Sequence, residues 1–323
     1  MKTLIAGLAA LAAAVFAPAP AQAQDWPARP ITFIVPFAAG GGTDAFARPL
    51  AAQLDGIINQ RIIIENRAGA GGTAGASAAS KAAGDGHTFF VGAAHHTIAP
   101  SLYPRLDYNI ETDFIPIAMI GRPAQVIVVA PARVQATNLA DFIAFARANP
   151  GKLSYGSAGN GTTHHLAAEL FKLLTKTDIC HIPYRGAGPA MQDLVAGQLD
   201  VIFDGLGTSA PQIEGGQIRA LAVAAPQRNP AFPNIPTTAE AGLANFEVST
   251  WYALWAPKNP PQPIIDRMTA AVRQVLQIPA IAEAWRRNGS DVPQLFGADF
   301  GRFVSSEVVR WRAVVKDADL KLE

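Results

Sequence analysis

Two glycine-rich stretches carry the residues best suited to chemistry. Pro36-Phe-Ala-Ala-Gly-Gly-Gly-Thr-Asp44 follows one short apolar run, and Tyr155-Gly-Ser-Ala-Gly-Asn-Gly-Thr-Thr-His-His165 follows another. Each reads as a loop between a strand and a helix, where first-turn backbone N–H groups lack intrahelical partners and attract an anion. Gly40, Gly41 and Gly42 let the backbone approach a ligand closely, with Phe37, Ala39 and Thr43 beside them. In the second loop Ser157, Asn160, Gly161, Thr162 and Thr163 supply neutral donors. A hydrogen bond to a charged group contributes about 1.5–3 kcal/mol net, and a helix terminus roughly 0.3–1 kcal/mol. Roughly four to six such bonds, less the entropy of capture, support a micromolar complex of about −8 kcal/mol with no arginine involved.

Three other chemistries compete for the same residues. Gly40-x-Gly42-x-x-Ala45, with Glu65 about twenty residues on, matches a dinucleotide-binding fingerprint. Gly156-Ser157-Ala158-Gly159 sits like a nucleophile elbow with His164 or His165 as a base, but the GxSxG pattern fails at Tyr155. His95-His96 and His164-His165 offer imidazoles to a metal, although adjacent pairs give no recognised ligand spacing. The expectation is that one histidine of each pair faces a cleft as a donor and the other is structural. Asp204 either accepts from a hydroxyl or ammonium of the ligand or caps the segment after it. Phe37 and Trp251 pack against a ligand or belong to the core. No cofactor and no resident metal is expected.

The elements that must position these loops follow from the periodicity. Ile31–Pro36, Arg61–Glu65 and His87–Gly92 read as strands, the last leading into a loop, with Asp44–Leu54 and Thr73–Ala83 as helices. The rhythm returns in Lys152–Gly156, Thr163–Leu174, Ile179–Pro183, Pro189–Gly197 and Leu199–Asp204. Such alternation predicts α/β architecture with largely parallel sheets. Leu50-Ala-Ala-Gln-Leu54 and Leu166-Ala-Ala-Glu-Leu170 each follow one of the glycine loops, so two lobes would set two similar anion sites face to face. We divide the chain into residues 24–123 plus 225–323 as lobe 1 and 124–224 as lobe 2, with Val126–Val129 and Leu221–Ala224 as the strands about which they close. A capping box, Thr237 with Glu240, should open a short helix before a strand at Val248–Pro257. Helices beginning near Pro263, Pro279 and Ala298 finish the chain.

The ends and the composition bound the setting. Lys2, the apolar run Leu4–Phe16 and the triplet Ala21-Gln22-Ala23 read as a secretory signal peptide over residues 1–23, which places the mature protein in the periplasm. Export argues against the dinucleotide reading. Lys+Arg 26 against Asp+Glu 25, with no basic run, makes nucleic acid and anionic membrane surfaces poor partners. Cys180 is the single cysteine, so no disulfide forms within the chain, and it is expected to be buried on a strand.

At these residues the chain resembles the tripartite tricarboxylate transporter substrate-binding proteins, the Bug-type extracytoplasmic receptors. The likeness rests on Ile34-Val-Pro-Phe-Ala-Ala-Gly-Gly-Gly-Thr-Asp44, Glu65-Asn-Arg-Ala-Gly-Ala-Gly-Gly72, Lys81-Ala-Ala-Gly-Asp-Gly86, Tyr155-Gly-Ser-Ala-Gly-Asn-Gly161, His181-Ile-Pro-Tyr-Arg-Gly186 and Pro236-Thr-Thr-Ala-Glu-Ala-Gly242. The resemblance implies a type II-like, two-lobed α/β binding protein, joined by two crossover strands and active as a monomer. It would hold a dicarboxylate, tricarboxylate, acidic amino acid or aromatic carboxylate and pass it to integral membrane transporter subunits, without catalysis. It also implies that Phe37, Gly40, Thr43, Ser157, Asn160, Thr162 and Asp204 line the cleft. Three departures stand out: Ala93-Ala-His-His96 replaces Gly/Thr-rich residues with a single His, Thr163-His-His165 carries an extra His before Leu166, and Pro49 should kink the first helix.

Overall fold

The computed structural model describes residues 26–317, so the segment expected to be a signal peptide lies outside the described residues. Two five-stranded sheets, in the orders β2-β1-β3-β10-β4 and β7-β6-β8-β5-β9, form the centres of two lobes. The first contains β1 (Ile31–Val35), β2 (Ile62–Asn66), β3 (Thr88–Ala93), β4 (Phe114–Gly121) and β10 (Tyr252–Pro257). The second contains β5 (Gln125–Val129), β6 (Ser154–Ser157), β7 (Cys180–Pro183), β8 (Val201–Gly205) and β9 (Arg219–Val223).

The sheets share one plan. β1 pairs parallel with β2 and β3, as β6 does with β7 and β8, while β10 and β5 run antiparallel to both of their neighbours. Each antiparallel strand follows a crossing from the other lobe. The loops after β1 and β6 therefore occupy equivalent places, which is the physical basis of the echo between the two Leu-Ala-Ala segments. Near-continuous apolar runs make the inner strands, since both faces of each sheet are covered. In lobe 1 one apolar cluster contains Phe33, Leu50 and Trp285 and another contains Phe90, Trp255 and Phe300; lobe 2 is divided in the same way.

The helices that matter begin at strand ends. They are α1 (Gly42–Ile58), α2 (Thr73–Ser80), α3 (His95–Leu102), α4 (Leu139–Ala148), α5 (Thr163–Thr175), α6 (Ala187–Val195) and α7 (Leu206–Glu214). α8 (Gln262–Leu276), α9 (Pro279–Arg287) and α10 (Gly297–Asp317) complete lobe 1, the first two with proline in the first turn. α1 buries Phe46, Leu50 and Leu54 completely, each contributing about 1.5–3 kcal/mol.

Several expectations change. The crossings lie at Arg122–Ala124 and Ser249–Thr250, where Ala124 and Ser249 form an antiparallel bridge. Val126–Val129 and Leu221–Ala224 belong to the second sheet or its edge instead. Phe246 and Val248 pack in lobe 2 and Trp251 in lobe 1, so lobe 2 continues well past residue 224. The capping box forms, with Thr237 N donating to Glu240 at 2.7 Å and Glu240 N to Thr237 Oγ1 at 3.1 Å, but closes a turn rather than a helix. α1 runs without a break through Pro49. Cys180 is exposed because β7 is an edge strand. Among the described residues no helix is long and apolar enough to cross a membrane.

Candidate functional site

The β1–α1 loop is held open toward the other lobe by its own hydrogen bonds. Asp44 accepts from Gly40 N at 2.8 Å and from Asn66 Nδ2 at 3.1 Å, and Asn66 Nδ2 also donates to Phe37 O at 2.9 Å. Gly40 takes φ +85°, a conformation that favours glycine. The β6–α5 loop is shaped likewise: Thr162 Oγ1 donates to Gly159 O at 2.7 Å, Gly159 N to Ser157 Oγ at 3.1 Å and Gly161 N to His165 Nδ1 at 3.1 Å.

The lobes meet across these loops. Ala38 N donates to Arg185 O at 2.9 Å, and the Tyr103 hydroxyl donates to Asn160 O at 2.7 Å. Between them remains a cavity of about 20 Å³, room for about one water. Its walls are the first turns of four helices: Gly42 and Thr43 of α1, His95 of α3, Thr163 and His164 of α5, and Ala187 of α6. Each N-terminus presents unpaired N–H groups and a partial positive charge. Phe37, Gly41, Thr162, Thr250 and Tyr252 also contribute, and no Lys, Arg, Asp or Glu side chain does.

Of the residues expected to bind a ligand, Phe37, Gly41, Thr43, His95, Thr162 and Thr163 line this cavity. Ala39, Gly40, Ser157, Asn160, Gly161 and Asp204 are not among its walls, and Gly40 N and Gly161 N are spent on Asp44 and His165 within their own loops. Ser157 is fully buried with its Oγ 2.7 Å from His181 Nε2. Asp204, also fully buried, lies 2.9 Å from His164 Nε2 and accepts from Ser209 Oγ at 2.5 Å, so it caps no helix by its side chain. Asn160 supplies its carbonyl to Tyr103, while its Oδ1 is buried without a partner. Trp251 belongs to the lobe 1 core beside Trp255 and Phe300.

Within each histidine pair the two rings take different places. His95 and His164 line the cavity, whereas His96 Nδ1 meets the Tyr108 hydroxyl at 2.9 Å and His165 stacks on His181 with centroids 4.3 Å apart. Burial, reinforced by His164 nearby, lowers the His95 pKa to about 3. Burial and then His95 hold His96 well below its ordinary range. Burial, with His165 next in weight, takes His181 to about 4. Ser157 and His181 form a nucleophile–base contact that the sequence did not reveal, but Ser157 lies sealed outside the cavity. Among the described residues no group of three or more His, Cys, Asp or Glu is arranged to hold a metal.

Sequence reasoning missed α3, α6 Ala187, Thr250 and Tyr252. Ala94 gives α3 no side-chain cap, and Pro100 lies inside it, so its start carried no signal. Thr250 and Tyr252 reach the site through the second crossing, far along the chain.

Residues 46–320 match the model of the tripartite tricarboxylate transporter family receptors. Protein BugT of Bordetella pertussis is 36% identical over 326 residues, covering 100% of this chain and 99% of that one. MatC from Rhodopseudomonas palustris with bound malate has a TM-score of 0.85 at 34% identity, over 90% of this chain and 100% of that chain. R. palustris Rpa4515 with adipate has 0.88 at 36%, over 92% and 99%. With its two lobes, paired glycine loops and near full-length likeness to these receptors, the chain belongs to the tripartite tricarboxylate transporter receptor family.

Proposed function

We propose that this protein captures a small organic carboxylate between its lobes and delivers it to the membrane subunits of a tripartite tricarboxylate-type transporter. One observation carries the reading: four helix N-termini, two from each lobe, converge on a cavity without a charged side chain. Such a site favours an anion through backbone N–H groups and dipoles. It engages both lobes at once, so binding stabilises the closed arrangement. Malate and adipate in the two related receptors support the class of solute. The small cavity means that the lobes part about residues 122–124 and 249–250 to admit it. Phe37, Gly41, Thr43, His95, Thr162 and Thr163 then surround the solute, and nothing in the site makes or breaks a covalent bond.

The leader-like segment at residues 1–23 supports a periplasmic location. Calorimetry and thermal shift against citrate, C4–C6 dicarboxylates, glutamate, nicotinate and benzoate-type acids test the capture. At least one acid should raise the melting temperature in a concentration-dependent way. No response to any of them, with tightening by zinc or with ester turnover lost in Ser157→Ala, would overturn the reading.

A further inference from the structure

His164 and Asp204 together set what lobe 2 asks of a solute. Asp204 Oδ1 lies 2.9 Å from His164 Nε2, and the Ser209 hydroxyl holds the other carboxylate oxygen at 2.5 Å. The Asp204 carboxylate is the acceptor of this pair, so Nε2 is the ring nitrogen that donates, and the tautomer this selects leaves Nδ1 as an acceptor. That Nδ1 is buried and has no hydrogen-bond partner. The ring lines the inter-lobe cavity from the first turn of α5. An unpaired buried acceptor is unfavourable, so a solute able to donate to it is preferred over one that cannot.

We infer that His164 Nδ1 is a specificity-determining acceptor, and that the preferred solute carries a hydroxyl in addition to its carboxylate. The inference rests on the carboxylate-capture reading and narrows it. A hydroxyl suits the place better than an ammonium group. Four helix N-termini surround the cavity with positive partial charge, and no carboxylate side chain lines it to receive a cation. Asp204, the acid paired with His164 Nε2, is itself sealed with 0% exposure.

Calorimetry on the full chain with matched acids tests this: malate with succinate, citrate with tricarballylate, and mandelate with phenylacetate. In at least one pair the hydroxylated member should bind about tenfold tighter or more, which is about 1.4 kcal/mol. In His164→Phe that ratio should collapse toward one. Malate should also bind tighter than aspartate. The heats should be the same in two buffers of different ionisation enthalpy, because Nδ1 accepts from the solute and takes up no solvent proton. Equal affinities within every pair, or tighter binding of aspartate, would overturn the hydroxyl assignment even if His164→Phe fails to fold. Malate heats that scale with buffer ionisation in the wild type but not in His164→Phe would show Nδ1 gaining a proton and acting as a donor, which also overturns it. Binding of deoxy acids alone leaves carboxylate capture standing, whereas failure of every acid in the wider panel removes both.

Discussion

The Tyr103 hydroxyl of lobe 1 donates across the cleft to the Asn160 carbonyl of lobe 2 at 2.7 Å, with Ala70 O at 3.2 Å as a second acceptor in its own lobe. Burial raises the Tyr103 pKa, so the hydroxyl stays protonated around neutrality. The bond exists only when the lobes are together, and it therefore favours the closed form. Tyr103→Phe should weaken solute affinity about two- to tenfold, the share of one neutral hydrogen bond of about 0.5–1.5 kcal/mol. Calorimetry reads the change, and an unaltered dissociation constant would show that closure does not draw on this contact.

Asp204 accepts from two side chains while wholly buried, so its removal should register in folding as well as binding. Asp204→Ala strands the hydrogens on His164 Nε2 and Ser209 Oγ, and each unsatisfied buried donor costs about 1–3 kcal/mol. Urea denaturation should lose about 2–5 kcal/mol, with a smaller loss in Asp204→Asn, which keeps one acceptor. Equal midpoints for wild type and Asp204→Ala would contradict the role given to the pair.

Acid should weaken the fold before its carboxylates titrate. His95, taken by burial and then by His164 to about 3, and His96, held well below 6.5 by burial and then by His95, stay neutral in the folded chain. Unfolded, both titrate near 6.5. As pH falls below that value the unfolded chain binds protons that the folded chain refuses, so stability drops by up to about 1.4 kcal/mol per pH unit for each such histidine. Carboxylates with lowered pKa act below their unfolded value of 4.5 or less. One is Glu169, where burial is outweighed by the bonds from Tyr155 and Lys172. Denaturation midpoints should therefore decline between pH 6.5 and 4.5, and His96→Gln, which keeps a partner for Tyr108, should flatten the decline. A midpoint constant over that range would contradict the burial argument.

Much of this arrangement could be read in the residues. Pro36–Asp44 and Tyr155–His165 announced strand ends that open helices, because glycines and small polar residues between apolar runs have few other uses. The repeated Leu-Ala-Ala segments already implied that the two loops face each other. What escaped depends on direction and on pairing between distant segments. Ser157 and Asp204 sit where expected along the chain, yet their oxygens turn to His181 and to His164 and Ser209. Cys180 has strand neighbours like those of a core residue, but only the order of strands reveals that β7 is an edge. Phe246 and Val248 follow a change of pattern that looked like a return to lobe 1, while their packing keeps them in lobe 2.

Gly188 permits the final approach of the lobes, and this can be separated from folding. A Cβ at Gly188 would stand 2.5 Å from Ala39 O and 2.9 Å from Gly40 C, both in the opposite lobe. Neither atom is the end of a flexible side chain, so the lobes must stay apart to relieve the contact. Gly188 lies near the start of α6, where alanine is the better helix former by about 0.8–1 kcal/mol. Gly188→Ala should accordingly leave the ligand-free melting temperature unchanged or slightly raised while weakening solute binding at least about tenfold. Gly75→Ala is the contrast: its Cβ would lie 2.6 Å from Pro36 Cα and 2.7 Å from Arg67 O inside lobe 1, so it should lower stability first. Scattering in the presence of solute should find Gly188→Ala more extended than the wild type. Wild-type affinity in Gly188→Ala would mean that the solute is held in a more open arrangement than the one described.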